Sequence, residues 1–219
     1  MSELVLHVGN KNYSSWSLRP WLALKAAGVP FREVVHDIED PAERRRIREL
    51  SPAGRVPFLL DSDLLVWDSL AIVEHAAERF PKSGIWPEDR DARSVARSCC
   101  AEMHSGFAAL RQAMTMNIRR RYARSPRTPE VQADIDRIVA LWKQVRGAHG
   151  EGGPFLFGRF TAADAFYAPV VTRFRTYDVP LDSDSLAYCA AVLECDAMQQ
   201  WMEAASVETA TIAKYEYVP

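Results

Sequence analysis

Near residue 80 of this 219-residue chain the strand signals stop. Before that point short apolar runs alternate with amphipathic stretches, and after Asp91 every periodic stretch has helical spacing. A chain divided this way cannot form one uniform layer. It predicts a small mixed sheet covered by helices, followed by a helical bundle.

The first part reads in order. Leu4 to Gly9 is a buried strand, Trp16 to Ala27 a helix stopped by Gly28, and Phe31 to Val35 a second strand. PAERRRIREL is a short charged helix, VPFLLDSDLLVWD two strands about an Asp61-Ser62-Asp63 turn, and Ser69 to Phe80 an amphipathic helix. The order βαβ then αββα is that of a thioredoxin-like domain. We assign it residues 1–80, take residues 81–90 (Pro81, Gly84 and Pro87 among them) as linker, and give residues 91–219 to an all-helical domain. Helices are predicted over 92–124, 130–149, 162–176, 183–193 and 197–205.

Charge and cysteine usage narrow the function classes. The 27 basic and 29 acidic residues nearly cancel, which argues against nucleic acid as a partner. Arg119, Arg120, Arg121, Arg124 and Arg127 form a basic cluster that reads as a solvated face or linker. The four cysteines make no CxxC pair and read as buried free thiols in a reducing compartment, the cytoplasm. We expect no export signal and no membrane insertion.

Three constellations carry chemistry. Asn12-Tyr13-Ser14-Ser15-Trp16-Ser17-Leu18-Arg19 joins the first strand to the first helix and sets hydroxyls at a helix N-terminus, where serine is also an ordinary cap. Gly54-Arg55-Val56-Pro57-Phe58 is a loop whose proline opens a strand. Asp68-Ser69 precedes the helix LAIVEHAAERF, and the start of a helix receives anions. Thr161-x-x-Asp164 is a capping box with a structural role.

In these motifs the chain resembles the cytosolic glutathione transferases of serine type. NYSSWSLRP is close to the SSCSxR motif of the zeta class, with Trp16 in the cysteine's place, while Asp68 replaces a usual Glu or Gln and His75 a frequent tyrosine. The resemblance implies a thioredoxin-like domain that binds glutathione as co-substrate, and an all-helical domain that holds a hydrophobic electrophile. It implies no metal and a two-fold homodimer. Ser14, or in a second register Ser15, would hold the glutathione thiolate. Val56, before a cis Pro57, would pair with the cysteinyl backbone; Arg55 would meet the glycyl carboxylate, and Asp68 and Ser69 the γ-glutamyl end. The second-substrate pocket would draw on Asn12, Trp16, Met103, Phe107, Leu110, Met114, Tyr215 and Tyr217. A glutathione-dependent cis/trans isomerase of the maleylacetoacetate type, or a non-catalytic binding protein of the same fold, are the alternatives; disulfide exchange is disfavoured without a CxxC.

One hydroxyl together with the helix end is sufficient for the thiolate role. A thiol of pKa about 8.5 is only ~3% ionised at pH 7, and lowering it by about 2 units takes roughly 2.7 kcal/mol. A hydrogen bond to a charged acceptor contributes roughly 1.5 to 3 kcal/mol and a helix N-terminus roughly 0.3 to 1.

Overall fold

The computed structural model describes residues 3–123 and 127–216. Its first part holds β1 (Leu4–Gly9), α1 (Ser15–Ala26), β2 (Arg32–His36), α2 (Pro41–Leu50), β3 (Phe58–Asp61), β4 (Leu64–Val66) and α3 (Ser69–Arg79). The strands lie in the order β2-β1-β3-β4, with β1 and β2 parallel and the other pairs antiparallel. A parallel pair needs a crossover, which α1 supplies, and the hairpin turns at Ser62 in the left-handed region (φ 55°). The alternation along β1 sorts its side chains. Leu4, Leu6 and Val8 enter the hydrophobic core, and His7 points to the other face, where it stacks on Phe58 and His36.

From α4 onward the named elements are helical: α4 (Arg90–Ser105), α5 (Ala108–Ala113), α6 (Pro129–His149), α7 (Ala162–Thr176), α8 (Ser183–Glu194) and α9 (Asp196–Ser206), with a short 3-10 turn at Ala213–Tyr215. Side-chain caps on Asp89, Thr128 and Asp182 start α4, α6 and α8. Helix α7 is the central rod. It is buried along nearly its whole length and packs on α1, α4 and α8, so it joins the helical part to the sheet part.

One predicted helix is broken. In place of a continuous helix from Ala92, the chain stops at Ser105, extends at Gly106, turns left-handed at Phe107 (φ 57°) and resumes for one short helix only. Beyond Met114 the backbone finds partners outside itself. Ile118 N–H donates to Asn12 O (3.3 Å), Arg119 N–H to the Asn12 side chain (2.9 Å) and Tyr122 N–H to Thr176 O (2.7 Å). Main-chain groups satisfied by tertiary contacts do not need the helical ladder. Arg124, at the end of the expected helix and within the basic cluster, lies outside the described residues.

Of the arginine cluster, Arg120 and Arg121 are exposed as a solvated face would be, and Arg119 is half-buried. Arg119 donates to the carbonyls of Glu208 and Ala210 and to the Tyr13 hydroxyl, and Arg120 to Glu216. They hold the C-terminal segment 207–216 across the β1–α1 loop.

Candidate active site

A cleft of about 530 Å³ opens where the β1–α1 loop, α2, the loop before β3 and the 108–116 segment meet. Ser14, Ser15 and Trp16 form its floor. Arg55 and Val56 line one side, with Arg44, Ile47 and Arg48 of α2. Opposite stand Ala108, Arg111, Gln112, Thr115 and Met116, with Arg173 of α7 and Tyr215 of the tail.

The loop before β3 has the expected form: the Val56-Pro57 peptide is cis. No hydrogen bond among the described residues uses the Val56 main chain, so its N–H and C=O remain available to an added strand.

The two serines differ in what they hold. Ser14 caps α1: its Oγ accepts from Ser17 N (3.4 Å) and donates to Ser17 Oγ (2.7 Å), which in turn accepts from Gly9 N (3.0 Å). Its proton is therefore committed within the loop. Ser15 Oγ accepts from Arg173 Nη2 (3.3 Å), and its own proton stays free for the cleft.

Arg173 is anchored by donating Nε to Met114 O (2.7 Å) and Nη1 to Pro169 O (3.1 Å). Burial, then the neighbouring Arg111 charge, push its pKa down to about 10. Arg111 is also lowered by burial; it donates to the carbonyls of His104 and Gly106 and lies 4.5 Å from the Trp16 ring centre. The buried Arg19 lies 4.3 Å from the same ring, and burial with the Arg111 and Arg173 charges lowers it to about 9.

The expected anion site at α3 stands apart from this lining. Asp68 caps the helix through Leu70 N (3.0 Å) and its other oxygen meets His104 Nε2 at 3.0 Å, while His104 rests edge-on against Trp16. Ser69 Oγ is buried with no hydrogen-bond partner among the described residues. His75 pairs with Asp61 (3.0 Å) and has a packing role.

Of the residues expected in the second-substrate pocket, Trp16 and Tyr215 line the cleft. Asn12, Met103, Phe107, Leu110 and Met114 are buried beside it and do not, and Tyr217 lies outside the described residues. Asn12 is a clasp, bonded to Asn117 (3.0 Å) and to the Arg119 main chain. Phe107 spends its side chain on the core at the α4–α5 break, and Met114 gives its carbonyl to Arg173. Arg44, Arg48, Arg111 and Arg173 were not foreseen. A charge inside the apolar run AADAFYAPVVTRF was the available signal for Arg173.

Compared with known families, residues 13–79 match the glutathione S-transferase N-terminal domain and residues 95–204 the glutathione S-transferase C-terminal domain. The chain belongs to the glutathione S-transferase family. Among relatives of this chain, a dichloromethane dehalogenase of Methylorubrum extorquens is 43% identical over 60 residues, which is 26% of this chain and 21% of that protein. A maleylacetoacetate isomerase of Pseudomonas aeruginosa is 28% identical over 81% of this chain and 84% of its own length. A Burkholderia glutathione transferase homologue, solved with bound glutathione, superposes with a TM-score of 0.70 at 20% identity, covering 93% of this chain and 97% of its own. The loop serines, the cis-proline loop and the α3 N-terminus all fall within residues 13–79, the part that matches the N-terminal domain. No described helix is long and apolar enough to cross a membrane, and no described group of His, Cys, Asp and Glu could hold a metal ion.

Proposed function

We propose that the protein is a glutathione transferase in which Ser15 holds the glutathione sulfur as thiolate for attack on an electrophilic small molecule. The observation that carries this reading is the Ser15 hydroxyl, whose acceptor lone pair is taken by Arg173 while its proton is free toward the cleft. Such a hydroxyl is a stronger donor, because a charge-assisted bond on its oxygen polarises the O–H. Ser14, whose proton is spent on Ser17, shapes the loop and caps α1.

Glutathione would lie along Val56, with its glycyl carboxylate toward Arg55 and α2 and its γ-glutamyl carboxylate toward the buried Ser69 hydroxyl. Asp68 would accept the ammonium. The division at residues 81–90, a cytoplasmic location and assembly as a homodimer belong to the same reading; sedimentation at micromolar concentration separates dimer from monomer.

The test is turnover of 1-chloro-2,4-dinitrobenzene with glutathione. Ser15→Ala should lower kcat about 10²-fold or more with little change in glutathione binding, and Ser14→Ala should act mainly on stability. The reverse ranking transfers the role to Ser14, and full activity in both variants removes the serine mechanism. The similarity to the isomerase from P. aeruginosa supports a second reading, glutathione-dependent cis/trans isomerisation. An assay for double-bond isomerisation beside conjugation decides between them.

A further inference from the structure

The charge inside the cleft is one-sided. Its lining carries Arg44, Arg48, Arg55, Arg111 and Arg173 and, among the described residues, no aspartate or glutamate. Glutathione brings two carboxylates. On the reading above, one goes to the Arg55 side and the other to the α3 N-terminus, and the thiolate goes to Ser15 beside Arg173; none of the three accounts for Arg111, which stands with Trp16.

These two cations are not neutralised by the protein. Arg173 spends its donors on two carbonyls and the Ser15 hydroxyl, and Arg111 on two carbonyls and the Trp16 ring. No ion pair within 4.0 Å involves either of them, or the adjoining Arg19, among the described residues. Arg19 adds a second guanidinium on the Trp16 indole beside Arg111, with Nε and Nη1 buried and without hydrogen-bond partners among the described residues. Two guanidinium groups on one tryptophan, with a third, Arg173, beside them at Ser15 and with burial opposing each charge, are costly unless an anion completes the set.

We propose that the helical half of the cleft is a carboxylate site, in which Arg111 and Arg173 receive the anionic group of the second substrate. The electrophile is then a small carboxylic acid, not the neutral hydrophobe expected from the sequence. A planar fork of donors matches a carboxylate, and the Trp16 face, Met116 and Tyr215 supply an apolar wall for the carbon skeleton. This rests on the transferase reading only for the direction of attack, since the binding site itself stands on the arginines.

The test uses matched acid and amide probes in the presence of saturating glutathione. Binding of the unreactive 3-nitrobenzoate and 3-nitrobenzamide is measured by calorimetry. Turnover is measured with 4-chloro-3-nitrobenzoate and 4-chloro-3-nitrobenzamide, each rate divided by that of the uncatalysed reaction. In that reaction the glutathione sulfur bonds to the ring carbon bearing chlorine, the carbon–chlorine bond breaks, chloride leaves with the electron pair, and the thiol proton passes to solvent.

The acid should bind at least about tenfold more tightly than the amide, and the preference should shrink as salt is raised. Arg111→Gln should remove most of that preference and Arg111→Lys restore part of it. Arg111 and Arg173 each hold two main-chain carbonyls, so variants of either risk misfolding. Salt dependence in the unaltered protein keeps the test independent of any variant. Equal binding of acid and amide, or a preference untouched by Arg111→Gln, overturns the carboxylate site. Selective binding of the acid with no rate above background for either chloride upholds the site and overturns the transferase reading.

Discussion

A single side chain shows how the sheet's second face is sensitive to acid. His7 Nδ1 lies 2.8 Å from His36 Nε2, and His36 Nδ1 lies 2.6 Å from Glu43 of α2, the helix that also carries Arg44 and Arg48 into the cleft. Burial, then the His36 charge, lower the His7 pKa from 6.5 to about 4. The folded state therefore binds its proton later than the unfolded chain does. The stability tied to neutral His7 is complete above about pH 6.5 and is lost as pH falls toward 4. Between pH 7 and pH 5 this amounts to roughly 2 kcal/mol. Urea unfolding at the two pH values should show that loss, and His7→Phe, which keeps a ring against Phe58, should flatten it. An equal slope in the variant would place the acid sensitivity elsewhere. At this scale the sequence was half legible. The hydroxyl loop was visible as Ser14-Ser15, but the choice between them depends on Arg173, 158 residues away, and no local pattern encodes that contact.

Element boundaries followed local chemistry wherever the local chemistry was sufficient. The PAERRRIREL helix runs Pro41–Leu50 behind an Asp40 cap, and the Thr161-x-x-Asp164 box opens α7 at Ala162. The break after Ser105 has a local signal in Gly106, but the departure from helix beyond Met114 was illegible because its reasons are tertiary. Asn12 and Thr176 supply the bonds that let the chain leave the helix, and neither stands near it in sequence. At α7 the local and tertiary demands coincide on Asp164. Its carboxylate accepts from Leu156 N (3.0 Å), Thr161 N (2.8 Å), Thr161 Oγ1 (3.1 Å) and Tyr188 OH (3.2 Å). Burial pushes its pKa up to about 6 in spite of these bonds. Replacing it with alanine leaves buried donors unpaired, each costing about 1 to 3 kcal/mol. Asp164→Ala should thus destabilise by roughly 3 kcal/mol or more, a fall of about 6 °C or more in Tm for a chain of this size. Thr161→Ala removes less and should cost about 1 kcal/mol. Thermal unfolding of the two variants checks both, and a larger loss for Thr161→Ala would reverse the assignment.

Across the whole molecule, the segment after α9 ties the two parts together over the cleft. Glu208 accepts from the Lys11 and Asn12 main chains (2.6 and 3.0 Å), at the loop that leads into Ser14. Glu216 accepts from Tyr13 OH (2.6 Å), Asn117 Nδ2 (3.0 Å), Arg120 Nε (3.1 Å) and Tyr122 OH (3.3 Å), and Thr115 Oγ1 donates to Tyr215 O (2.9 Å). Burial alone would raise the Glu216 carboxyl, but Tyr13, Asn117 and Arg120 hold it below its ordinary value. The strap is accordingly charged and closed at neutral pH, and it loosens as pH falls through the carboxylate range. Because Tyr215 forms part of the helical wall and Val56 does not touch the strap's bonds, loosening should act on one substrate more than on the other. Glu216→Gln keeps the shape and removes the charge. We expect it to raise KM for the second substrate roughly fivefold, the equivalent of about 1 kcal/mol, while the KM for glutathione changes less than twofold. Steady-state kinetics with each substrate varied in turn reads the two values separately. Equal changes in both would mean that the strap supports the whole cleft and not the second-substrate wall.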